Sequence, residues 1–220
     1  MQTMKIFCIL TITAVSASAA VNIIDNTYGV GAGSFELGAY STNSGNSFNY
    51  MRLSSTSSTI AGWTVGGIDG VDWITFPNNA AQSGLFSVDL AGPSFVNRQS
   101  VGSISTVIPT LIGFQYLISF YAYGGDGDYI GNVMAGSLNQ NFLAPMNTNA
   151  TVADYDFFEY SFTALDTSTM ITFSSIDSWG YGPVIDNVVV VPEPSAAMLG
   201  LVGVSLLFKR SRTKNQRSEQ

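Results

Sequence analysis

Residues 114–123 read FQYLISFYAY. Phe114, Tyr116, Ile118 and Phe120 fall on one side of an extended chain, and Gln115, Leu117, Ser119 and Tyr121 on the other. Period-two alternation with one richly apolar side is the signature of a half-buried β-strand. FFEYSFTAL (157–165) repeats it, grouping Phe158, Tyr160 and Phe162 against Glu159, Ser161 and Thr163. MITFSSI (170–176) and VIDNVVVV (184–191) close the series. Working backwards, SFEL (34–37), NYMRL (49–53), GWTV (62–65), VDWITF (71–76), LFSVDL (85–90), SISTVI (103–108) and GNVMAGSL (131–138) read as shorter strands. VGGIDG (65–70), GGDGD (124–128) and WGYGP (179–183) read as turns, because Gly, Asp and Pro supply the backbone conformations that reversals need. About ten short strands without an intervening helical pattern predict an all-β fold, a two-sheet antiparallel β-sandwich of jelly-roll type. No repeat of fixed period is visible.

Charge is segregated along the 220 residues. Five of the eight basic residues (Lys209, Arg210, Arg212, Lys214, Arg217) follow a late apolar run, and Lys5 precedes an early one. From Asp25 to Asp186, two basic residues face thirteen acidic ones, a net of −11. So acidic a body repels phosphate backbones, which excludes nucleic acid as a partner.

The two ends read as addresses. Lys5, then IFCILTITAV (6–15) and SASAA (16–20), have the basic, apolar and small-residue parts of a signal peptide cleaved after Ala19 or Ala20. The single cysteine, Cys8, would leave with it, so the exported domain must hold together without disulfides. Near the other end, VPEPS (191–195) precedes a 13-residue apolar run, Ala196–Phe208, and then the basic cluster. A bilayer core takes roughly 20 helical residues, so the run is short for a span. Pro192 and Pro194 stop a helix from extending backwards, and the basic cluster would stay cytoplasmic. The expected organisation is a signal peptide (1–20), a β-sandwich (21–190) and a C-terminal hydrophobic sorting helix (191–220) with a short transmembrane segment at 195–208.

This tail resembles the PEP-CTERM sorting signal of Gram-negative bacteria. The resemblance implies recognition by the membrane peptidase exosortase and cleavage near Pro192, Glu193 and Pro194. It also implies transient anchoring in the inner membrane, then release to the cell surface or the extracellular polysaccharide matrix. The chain departs from the pattern in continuing past the basic cluster to Gln220. The body resembles a second family: GSFELG (33–38), AGWTVGGIDGVDWI (61–74), LFSVDLAG (85–92) and GPVIDNVVVV (182–191) are similar to the bacterial choice-of-anchor C proteins. Those are relatives of a plant cell-wall domain family of unknown function with a galactose-binding-like β-sandwich. Plant members carry two such domains and cysteines, so their partners are not carried over.

With no histidine and no cysteine past residue 8, Ser-His and Cys-His nucleophile systems and imidazole or thiolate zinc sites are excluded. Carboxylates alone remain for catalysis. GGDGDY (124–129) and DYDFFEY (154–160) supply close pairs, but Asp beside Gly is ordinary turn chemistry and noncatalytic readings are favoured. Calcium needs only oxygen ligands. The galactose-binding-like resemblance places a structural calcium between Glu36 in GSFELG and Asp186 in VIDNV; the alternative is an Asp186 that points to solvent. Sugar binding needs an aromatic surface with a polar rim. Trp63 and Trp73 sit in strand patterns and read as core, whereas Trp179 and Tyr181, with Tyr129, are the candidates for a glycan contact. The leading expectation is a noncatalytic exported protein that binds extracellular polysaccharide. A self-associating matrix protein that binds no sugar, or a carboxylate-dependent glycan-active enzyme, are the alternatives.

Overall fold

The computed structural model describes residues 21–41, 49–76, 80–91, 101–125, 127–146, 155–176 and 181–193. The expected signal peptide, Pro194, the segment 195–208 and the basic tail lie outside them. Eleven strands and one short helix are described: α1 (Ile23–Tyr28), β1 (Tyr50–Leu53), β2 (Thr64–Gly67), β3 (Val71–Thr75), β4 (Phe86–Asp89), β5 (Gly102–Pro109), β6 (Gln115–Gly124), β7 (Tyr129–Ala135), β8 (Leu138–Ala144), β9 (Asp156–Thr163), β10 (Ser168–Ser175) and β11 (Pro183–Pro192). They form a six-stranded sheet, β1-β3-β4-β11-β6-β9, and a five-stranded sheet, β2-β5-β10-β7-β8. All strand pairs are antiparallel, and most neighbours are not consecutive in sequence, as in a jelly roll.

Residues 115–123 of the opening stretch lie in β6, between β11 and the edge strand β9 of the larger sheet, whereas Phe114, read as part of the apolar face, falls in the turn before the strand and is exposed. The β6 register sets Tyr116 against Phe162, Ile118 against Tyr160 and Phe120 against Phe158, all on the inner side. The Phe120 ring, fully buried, lies between Phe158, Phe142 and Phe173 at centroid separations of 5.3, 4.9 and 4.8 Å. Trp63 and Trp73 are core residues, as expected. Each indole N–H reaches a carbonyl of the N-terminal segment, Ala32 O at 2.8 Å and Phe35 O at 3.1 Å, so that segment is fastened across the sandwich by the polar handles of two buried rings.

Three further expectations are corrected. SFEL is not a strand: Phe35 has φ 59°, and the segment turns so that the Phe35 carbonyl meets the Trp73 N–H. GNVMAGSL is not one strand but the end of β7, a tight turn at Gly136 (φ 51°) and the start of β8. The helix α1 was not expected. Its N-cap Asn22 accepts from Ile24 N–H, and the same amide bonds Val188 O and Val190 N–H, so the helix start doubles as a clip on β11 beyond the point where β4 ends. Gly33 stands beside that clip, receiving Val188 N–H on its carbonyl; a Cβ there would lie 2.2 Å from Val188 O. β11 also runs to Pro192, so the first residue of the Pro-Glu-Pro triplet pairs with Tyr116 in the sheet.

The registers give the sandwich two ends. At one lie the β5–β6 turn (110–114), the β9–β10 turn (164–167) and the exit of β11, because Pro109 faces Ser168, Gln115 faces Thr163, and Pro192 faces Tyr116. At the other lie the β2–β3 and β6–β7 turns and the start of β11, with Tyr181 just before it.

Candidate functional site

Alternation along the six-stranded sheet leaves a second face pointing away from the core. Tyr121 and Tyr123 stand on it opposite Asp186 and Val184, with Phe157 opposite Tyr121. Asp89 faces both Val184 and Asp72, and Asp72 faces Arg52. Aromatic and acidic side chains are thus brought to one surface by register alone. Tyr123, Tyr155 and Val184 form a separate small apolar cluster there, against which Tyr121 packs. Phe157 remains 54% exposed, its ring 5.2 Å from that of Tyr121 and inclined by 58°. Ser119, Glu159 and Ser161 project on the same side, so the two rings have a polar rim. The pair was not among the candidates read from the sequence. The signal was present: Phe157 and Tyr121 occupy the supposedly polar phase of their strands.

Asp186 lies under this surface with no exposed area. Its Oδ2 accepts Ser83 N–H at 2.8 Å and its Oδ1 accepts Asn187 N–H at 2.6 Å, at a β-bulge where Asn187 has φ 50°. The alternative of a solvent-facing carboxylate is thereby corrected. Glu36 comes to the same loop: Oε1 accepts Leu85 and Phe86 N–H at 2.9 and 2.8 Å. Between them sits Gly84 (φ 77°), where a Cβ would fall 2.4–2.8 Å from the Glu36 carboxylate atoms. Burial, chiefly, pushes the Asp186 carboxyl up to about 8; the loop N–H groups oppose this and Glu36 adds to it. The sole basic residue among those described, Arg52, is spent on Asp72, Nε to Oδ1 at 3.2 Å. Among the described residues no group of three or more His, Cys, Asp or Glu side chains converges, so a cation here would take its remaining ligands from carbonyls. Two carboxylates with no basic side chain beside them among the described residues offer oxygen ligands only, the chemistry of a hard cation rather than of a thiolate- or imidazole-seeking metal.

The other candidates disperse. Tyr181 is 50% exposed at the far end of the sandwich, its loop held by Gly182 N–H on Asp89 Oδ1 at 3.2 Å. Tyr129 does not join it: it is buried at the start of β7, with Gly127 over its ring. Trp179 lies outside the described residues. Of the carboxylate pairs, Asp126 and Asp154 also lie outside them. Asp128 accepts Met146 N–H at 2.7 Å, tying the β6–β7 turn to the end of β8, and Asp156 is exposed at the start of β9. Pro192 is paired in the sheet, while Glu193 donates its N–H to Gln115 O at 3.0 Å and accepts from the Ser161 hydroxyl.

Two antiparallel sheets with an aromatic, acid-lined outer face make this a β-sandwich domain protein. Residues 30–191 match the family model described as "Protein of unknown function (DUF642)", and the chain belongs to that family. No curated protein matches the sequence. Among solved structures, the fold is similar to TmCBM61 in complex with beta-1,4-galactotriose, at 19% identity and TM-score 0.44 over 60% of this chain and 88% of that one. It is similar to a structure titled "CBM4 structure and function", at 19% identity and TM-score 0.41 over 73% and 97%. A family 35 carbohydrate binding module from Clostridium thermocellum is similar at 15% identity and TM-score 0.42 over 58% and 90%.

Proposed function

We propose that this is an exported, noncatalytic glycan-binding protein that meets its sugar on the outer face of the six-stranded sheet. The observation that carries the reading is the Tyr121–Phe157 pair, with Phe157 half-exposed and Tyr121 partly buried beside it, rimmed by Ser119, Glu159 and Ser161. A pyranose stacks its C–H face on such rings while its hydroxyls bond the rim. The acid-rich body favours a neutral or calcium-bridged glycan over an anionic one. On a glycan array, Phe157→Ala should lose roughly tenfold in affinity, the equivalent of about 1.4 kcal/mol, with an unchanged melting temperature because the ring is exposed. Retained binding in Phe157→Ala together with loss in Trp179→Ala or Tyr181→Ala would move the site to the loop end.

Glu36 and Asp186 would hold a structural calcium that fastens the 82–86 loop to β11; the metal supplies charge compensation and no chemistry. The tail would serve as a PEP-CTERM signal. Exosortase would then cut near Pro192, Glu193 and Pro194, after transient inner-membrane anchoring, to deliver the domain to the surface or matrix of a Gram-negative cell. Because Pro192 and Glu193 are bonded into the sheet, the accessible bonds begin after Glu193. Mass spectrometry of the mature protein from strains with and without exosortase should show a C-terminus shortened to within a few residues of Pro194 only when the peptidase is present. An unshortened chain in both strains removes the sorting reading.

A self-associating matrix protein has one observation in its favour. The outer side of the five-stranded sheet carries Val107, Met170, Met134, Ile130 and Leu143, all exposed, among Ser, Thr and Asn residues and no charge. Concentration-dependent assembly in sedimentation without any glycan would support it.

A further inference from the structure

The end of the sandwich from which the tail departs is also unusually apolar. Leu111, Ile112 and Phe114 in the β5–β6 turn and Leu165 in the β9–β10 turn are 59%, 62%, 48% and 67% exposed. The two turns are one unit: Thr110 N–H bonds Thr167 O, Gly113 N–H bonds Ala164 O, and Ala164 N–H bonds Phe114 O. Leu111 N–H is held at 2.9 Å by the Tyr116 hydroxyl, so the tip is braced against the core. Glu193 is fastened beside it, through Gln115 O, the residue next to Phe114. Only Pro194 and Ser195 then separate Glu193 from Ala196, where the apolar run begins. Three residue steps reach at most about 11 Å.

We propose that this end is a second membrane contact: with the run 196–208 in a bilayer, Leu111, Ile112, Phe114 and Leu165 dip into the lipid interface. The proposal rests on the reading of the tail as a membrane segment. The tether is too short to let the domain stand away from a surface that Ala196 has entered. Four apolar side chains protruding from two braced turns suit insertion between headgroups better than seating a helix, which requires a groove. The surface is a zwitterionic one, because Asp166 and Glu193 flank the tip without a basic residue among those described. The far end, carrying Tyr181, is then held out towards the surroundings.

The chain has no cysteine besides Cys8, so single probes are clean. Full-length Cys8→Ser protein carrying one bimane-labelled cysteine at Ile112, at Ile68 of the opposite end, or at Val204 of the tail is reconstituted in dioleoylphosphatidylcholine vesicles containing doxyl-lipid quencher. Expected is quenching at 112 and 204, at least threefold stronger at 112 than at 68. Quenching at 204 with none at 112 overturns the membrane contact and leaves the tail reading intact. Absence of quenching at 204 and 112 overturns both. A blue shift at 112 without vesicles that is lost when residues 196–208 are removed shows the tip to be a seat for the tail instead, and overturns the lipid contact.

Discussion

Replacing Phe120 with alanine lowers the unfolding free energy by about 3–5 kcal/mol. The ring has no exposed area and joins the two sheets, touching Phe158 on β9 in its own sheet and Phe142 on β8 and Phe173 on β10 in the other. Its removal forfeits the transfer energy of a benzyl group and leaves a cavity whose lining is itself aromatic and stiff, so collapse recovers little. For a domain of this size the melting temperature should drop by on the order of 10 °C. Leu117, three residues earlier on the outward side of β6 and half-buried, provides the control: Leu117→Ala should cost no more than about 1 kcal/mol. Denaturant unfolding of the two variants checks this, and equal losses would mean that β6 does not divide core from surface as described.

The second large effect belongs to Asp186. Its carboxyl ionises near 8 in the fold against about 3.8 when unfolded, so the fold favours the protonated form. Stability without a bound cation is therefore full below about pH 4, falls as the pH rises towards 8, and levels off above that. At up to 1.4 kcal/mol per unit, the loss is on the order of 5 kcal/mol. Calcium binds the ionised form, so it should raise the melting temperature more at pH 8 than at pH 5, and its binding should release about half a proton at pH 8 and about one at pH 5. Asp186→Asn should remove both the acid-side gain and the calcium response. It should also cost about 1–3 kcal/mol at pH 5, because its amide cannot accept from both Ser83 and Asn187 N–H. Differential scanning calorimetry with calcium or with chelator reads each of these. A wild-type melting temperature indifferent to pH between 5 and 8 refutes the titration, and one indifferent to calcium at pH 8 refutes the metal.

The β fold was legible because alternation survives in nearly every strand, and tertiary packing merely chose between two faces already sorted by sequence. What escaped was non-periodic. SFEL has a strand's composition, but the Trp73 N–H needs its Phe35 carbonyl and the Trp63 N–H that of Ala32 just before it, demands of residues 63 and 73 that no local window contains. The β7–β8 hairpin was hidden because Gly136 sits in a run otherwise apolar enough to read through. Glu36 and Asp186 were paired through a family resemblance, and the fold explains their meeting: the bulge at Asn187 aims Asp186 at the loop to which Gly84 admits Glu36. The aromatic platform belongs neither to a tryptophan nor to a loop, where a sugar contact is legible in sequence; it is built by register between β6 and β9. No feature of either strand alone shows that Tyr121 and Phe157 will be neighbours.

The claim on which the functional account rests is that a neutral sugar stacks on this pair. Calorimetric titration of wild-type protein and of the Tyr121→Ala/Phe157→Ala double variant, with the neutral oligosaccharide that an array selects, tests it most directly. The account predicts saturable binding to wild type, weakened more than about tenfold in a double variant that still unfolds cooperatively. Equal affinity in the two proteins, or no saturable binding of any neutral glycan, would contradict it.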